Sequence, residues 1–75
     1  MVEEQSRQDE YLVAVWEKEE EEGLFVGVLL FHNGKAMEFV RSGDVMAGIA
    51  LYKRGISSPD ELDAELQAKG YYRIL

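Results

Sequence analysis

Residues 24–31, LFVGVLLF, are apolar at every position, and an Asn-Gly pair follows them two residues later. A run of eight such residues is too short for a membrane span. Its β-branched and aromatic content reads as a strand. Asn33-Gly34 flanked by strand-like segments is the strongest short hairpin signal, because a type I′ turn needs positive φ at both central residues. Residues 36–40, AMEFV, are then the returning antiparallel strand. The remaining chain has to fold around this hairpin.

Residues 11–16, YLVAVW, read as the strand before it. The intervening EKEEEEG reads as a charged hairpin connection, with a short helix as the competing assignment. After the central hairpin the pattern turns helical. Ser42 is a plausible N-cap, Asp44 lies in the first turn, and Val45, Ile49 and Tyr52 share one face. Lys53 and Arg54 close that helix, with Gly55 just beyond it. A second helix opens on Ser58-Pro59-Asp60-Glu61, a capping box with proline at the first helical position. Its stripe is Leu62 and Leu66, and Gly70 followed by Tyr71 marks its end. Residues 71–75, YYRIL, read as a terminal strand.

The expectation is an α+β domain in the order β-β-β-α-α-β. Two short helices pack on one face of an antiparallel sheet. Residues 11–75 form that single domain, and residues 1–10 form a mobile acidic arm.

Charge is distributed unevenly. Residues 1–22 hold nine acids and two bases, a net of −7, whereas residues 23–75 balance six against six. Direct binding to nucleic acid is therefore disfavoured. The acidic end suits a basic protein surface instead. There is no cysteine and only one histidine, so disulfides are excluded and a structural zinc site lacks ligands. No metal and no cofactor is expected. The chain has no basic and apolar leader pattern and no membrane-length apolar run, so a cytoplasmic protein without membrane contact is expected.

Strand residues 11–16 and 24–31 are apolar on both faces. An antiparallel sheet with one wet face should alternate instead. The excess apolar surface points to a homodimer formed through the second face of the sheet. The candidate partner-binding residues are Tyr11, Val13, Trp16, Phe25 and Phe31, joined by the acidic run Glu19, Glu20, Glu21 and Glu22. Four consecutive glutamates do not form a calcium loop, which alternates its ligands around a glycine. They read as a solvated tip or as a docking surface.

A small acidic module that acts by protein–protein binding, in a regulatory role, is the expected function. One variant of that reading is an acidic nucleic-acid mimic that inhibits a basic target, of the kind found in phage and mobile elements. An enzyme or enzyme accessory subunit would have to draw on His32, Glu38, Asp44 and Tyr52. These match no catalytic motif, so binding is expected before catalysis.

Overall fold

The computed structural model describes residues 11–75. The expected mobile arm at residues 1–10 lies outside the described residues. Five strands and one helix follow one another: β1 (Leu12–Glu21), β2 (Leu24–Phe31), β3 (Ala36–Ser42), β4 (Val45–Lys53), α1 (Asp60–Ala68) and β5 (Tyr72–Arg73). The strands make one antiparallel sheet in the order β4-β3-β2-β1-β5. The element order is therefore β-β-β-β-α-β, with one helix where the sequence suggested two.

The segment expected as the first helix is β4. Ser42 pairs with Val45 across a two-residue loop, Gly43-Asp44, and Gly43 has φ +58. Glycine in the first position of a two-residue loop suits a hairpin whose twist matches its strands. Ser42 thus closes a hairpin and does not cap a helix. Residues 45–52 are apolar throughout, so the Val45, Ile49, Tyr52 spacing that suggested a helix does not exclude a strand. Pairing along the outer side of β3 decides between the two.

The β2–β3 hairpin forms as expected but with a different turn. Gly34 N–H donates to Phe31 O at 2.9 Å, and Phe31 N–H donates to Lys35 O at 2.9 Å. Gly34 has φ +87, while Asn33 stays at negative φ. This is a three-residue loop ending in a left-handed glycine, not a type I′ pair.

The acidic run is not a loop either. β1 continues to Glu21, and only Glu22-Gly23 turn the chain. β2 presents backbone groups as far as Leu24, and Lys18, Glu19 and Glu21 satisfy them. Two extra residues, Val13 and Glu20, interrupt the β1 register. The terminal strand shortens to Tyr72–Arg73 at the edge, beside Trp16 and Glu17 of β1.

Helix α1 keeps most of its expected ends. The Glu61 carboxylate accepts from the N–H of Ser58 at 2.9 Å and of Ser57 at 2.6 Å. Ser58 Oγ accepts from Asp60 N–H rather than from Glu61. At the other end Tyr71 N–H reaches Leu66 O, and Gly70 N–H reaches Gln67 O, both at 3.0 Å. This is the double closure of a Schellman end.

Leu62 and Leu66 press onto Ala14, Trp16, Val28, Leu30 and Ala36, with Tyr52, Ile56 and Tyr71 at the margin. The register places all these sheet residues on one face, since Trp16 stands opposite Val28 and Ala14 opposite Leu30. Two polar clusters fasten the helix. Asp63 accepts from Trp16 Nε1 at 2.8 Å and from Arg73 at 3.2 Å. Glu65 accepts from the Tyr52 hydroxyl and from Lys53 Nζ, the latter at 2.6 Å.

The Lys53 and Tyr52 hydrogen bonds hold the Glu65 carboxyl below its ordinary pKa of 4.5. A lowered folded pKa adds stability above the unfolded value, and that stability is lost as pH falls through the folded value. Wild type should therefore lose more stability than Glu65→Gln as pH falls from neutrality to well below 4.5. Thermal melts at several pH values check this, and parallel curves for the two proteins would refute it.

Candidate interaction surface

The face of the sheet turned away from α1 is built by the other half of the alternation. Glu17 stands opposite Gly27, and Gly27 opposite Phe39. The Phe39 ring lies across Gly27, where a side chain would meet its Cζ at 2.5 Å. Phe39 is 0% exposed. Beside it, Arg41 forks onto the Glu17 carboxylate through Nε at 2.6 Å and a terminal nitrogen at 2.9 Å. The same guanidinium lies 4.3 Å from the Phe25 ring centre. Its second terminal nitrogen donates to Gly43 O.

Glu17 is 4% exposed, so its charge needs this partner. Hydrogen bonding to Glu17 is the largest cause raising the Arg41 pKa above its ordinary value, and desolvation opposes it. A bidentate fork suits arginine and not lysine. Nothing local in the sequence pairs the two residues. They lie 24 positions apart, and only the β1–β2–β3 register brings them together.

The sequence-predicted contact residues separate. Trp16 is 0% exposed beneath α1, so it has no surface to offer a partner. Burial of the indole leaves its N–H in need of an acceptor, which Asp63 supplies. Phe25 and Phe31 are half-buried on the helix-free face. Val13 is exposed at the β1 irregularity. Tyr11 is exposed at one end of the sheet, edge-on to His32 with ring centres 6.5 Å apart.

Glu19, Glu20, Glu21 and Glu22 line an open concavity of about 320 Å³ at the other end of the sheet. Glu19 also accepts from Gly23 N–H at 3.0 Å, which helps close the turn. Among the described residues, no group of His, Cys, Asp or Glu has the arrangement of a metal site. The residues an enzyme would have used do not all converge: Glu38 stands opposite Ala50 on the strand beside Tyr52, away from His32 and Asp44. His32 and Asp44 occupy turns at opposite ends of the sheet, and Tyr52 is engaged by Glu65 and Lys69. No helix among the described residues is long and apolar enough to cross a membrane.

The most distinctive surface lies on β4, the segment whose pattern suggested a helix. β4 is a nine-residue strand at the edge of the sheet. From Val45 to Tyr52 it carries no charged residue and no proline. Val45 is 74% exposed and Ile49 56%, and Met46 and Leu51 are exposed with them. Among the described residues nothing pairs with its outer side. Edge strands are commonly guarded by charge, proline or irregular backbone. From Val45 to Tyr52 β4 has only the last, an extra residue at Ile49 and another at Tyr52.

The opposite edge is guarded much more fully. The outer side of β1 carries β5, and the Ile74 and Leu75 N–H groups donate to Val15 O. Beyond these, β1 is charged at every position from Lys18 to Glu21.

Comparison with protein-family models, with curated proteins and with solved structures finds no match for the chain.

Proposed function

We propose that the protein is a small acidic interaction module that acts by binding, and that it works as a homodimer joined along β4. One observation carries this reading: β4 is a long, exposed edge strand, uncharged from Val45 to Tyr52, whose outer side is unpaired among the described residues. Such an edge recruits another strand through main-chain hydrogen bonds. The two-sided apolar pattern of the sequence argued for a contact through the helix-free face. The edge is the better candidate, because the centre of that face is filled by Phe39 and by the Arg41–Glu17 pair. The separation of His32 from Asp44, at opposite ends of the sheet, supports binding over catalysis.

The variant Ile49→Lys tests it. A charge on an edge strand opposes strand addition. The site is exposed, so the fold should change in stability by less than about 0.5 kcal/mol. Sedimentation equilibrium at micromolar concentration should give twice the chain mass for wild type and a single chain mass for Ile49→Lys, with unchanged circular dichroism. A single chain mass for wild type would refute the reading.

A further inference from the structure

We propose that the two β4 strands lie antiparallel about a two-fold axis near Ile49, with Asp44 of each copy facing Arg54 of the other. This rests on the reading of β4 as the dimer contact and adds its direction, its register and its closure.

Charge sets the direction. Between Gly43 and Gly55, Asp44 is the only acid, and Lys53 and Arg54 are the only bases. The acid precedes β4 and the bases end it. A parallel arrangement would set acid beside acid and base beside base. An antiparallel one sets each acid beside the other copy's bases. The turns nearby have the same polarity: Glu22 lies at the Asp44 end, and Lys35 at the Lys53 end. Such complementarity chooses register and excludes wrong alignments more than it adds affinity.

Register follows from spacing. Asp44 and Arg54 each lie five residues from Ile49. A two-fold axis there brings them together at both ends of the contact. Lys53 is already bound to Glu65, whereas Asp44 and Arg54 have no ion-pair partner among the described residues, Arg41 feeling the Asp44 charge without pairing with it. The axis also sets the irregularity at Ile49 against its own copy, so both strands bend alike.

Closure follows from topology. Joining the two β4 edges makes one sheet of twice five strands, whose outer edges are β5 and the charged side of β1. Neither invites a further strand. Association therefore stops at two copies and does not run on into a fibre.

A charge-swap experiment tests the arrangement. Asp44→Arg sets arginine against arginine in its own dimer, and Arg54→Asp sets aspartate against aspartate. Each variant alone should dimerise roughly tenfold more weakly than wild type at low ionic strength. Mixed together they should form a heterodimer of near wild-type affinity, because both facing pairs are again opposite in sign. Added salt should shrink these differences. Fluorescence-detected sedimentation of labelled pairs reads all three affinities, and circular dichroism confirms folding.

If wild type dimerises but neither variant weakens and mixing shows no preference, the antiparallel register is wrong while the dimer stands. If each variant weakens but mixing restores nothing, Asp44 and Arg54 do not face one another, and the register is again wrong. If wild type is a single chain, the dimer reading fails and this inference falls with it. Mass rising beyond two copies would overturn closure.

Discussion

Gly27→Ala is expected to leave little folded protein at physiological temperature. A methyl group at this position would lie 2.1 Å from the Trp16 carbonyl oxygen and 2.5 Å from Phe39 Cζ. Neither neighbour can give way cheaply. The first is backbone of an adjacent strand, and the second belongs to a ring that is 0% exposed. Overpacking of an ordinary core costs about 1–3 kcal/mol. Displacing a central strand belongs at or above the top of that range. A domain of this length has a total stability of roughly 4–11 kcal/mol. A loss of about 3 kcal/mol would lower the melting temperature by about 12 °C or more.

Gly48→Ala is the control. It too replaces a strand glycine, but its added methyl would find nothing nearer than the Glu38 oxygen at 4.0 Å. It should melt at or slightly above the wild-type temperature, since alanine has less freedom to lose on folding. Equal melting temperatures for the two variants would show that Phe39 does not occupy the space over Gly27. Adding Phe39→Leu to Gly27→Ala should recover only part of the loss, because the closer contact is to backbone.

Trp16→Ala should be the most damaging single side-chain truncation. Trp16 is the largest fully buried side chain, lying beneath Leu62 and Leu66. Removing a buried tryptophan costs about 3–5 kcal/mol in transfer and cavity terms. The variant also loses the Nε1–Asp63 hydrogen bond, worth about 1.5–3 kcal/mol with a charged acceptor. Helix α1 has nine residues, too few to hold together without packing. It should melt with the sheet and not separately.

Trp16→Phe separates the two effects. It keeps much of the volume and gives up the hydrogen bond, while Asp63 retains Arg73. It should lose well under half of what Trp16→Ala loses. Urea unfolding followed by circular dichroism measures both variants. A Trp16→Ala protein within about 1 kcal/mol of wild type would mean that Trp16 is not the centre of the core.

Local chemistry was legible in the sequence, and non-local chemistry was not. The Asn33-Gly34 hairpin was readable because its signal is contained in a few residues. So were the ends of α1, where Glu61 meets Ser57 and Ser58 and where Tyr71 closes on Leu66. The stretch from Val45 to Tyr52 is apolar throughout, so periodicity does not separate a strand from a helix there. A two-residue Gly43-Asp44 turn was present in the chain, but it competed with a reasonable capping pattern at Ser42. What settled it was an unpaired side of β3, and no local window contains that information.

The candidate surface divides in the same way. Its composition is a sequence property: no charge from Val45 to Tyr52, an acid before and bases after. Its exposure is not, because the same residues on a helix would have had a buried face.

The apolar strand runs, the Asn33-Gly34 hairpin signal and the charge asymmetry were determined by the sequence alone, since each depends on residues close together along the chain. The tertiary structure alone decided that Trp16 is core, that Gly27 shelters beneath Phe39, that Glu17 answers Arg41 and that β4 is the open edge. Each of these depends on the register between strands remote in sequence. A slip of one residue would turn every one of those side chains to the other face.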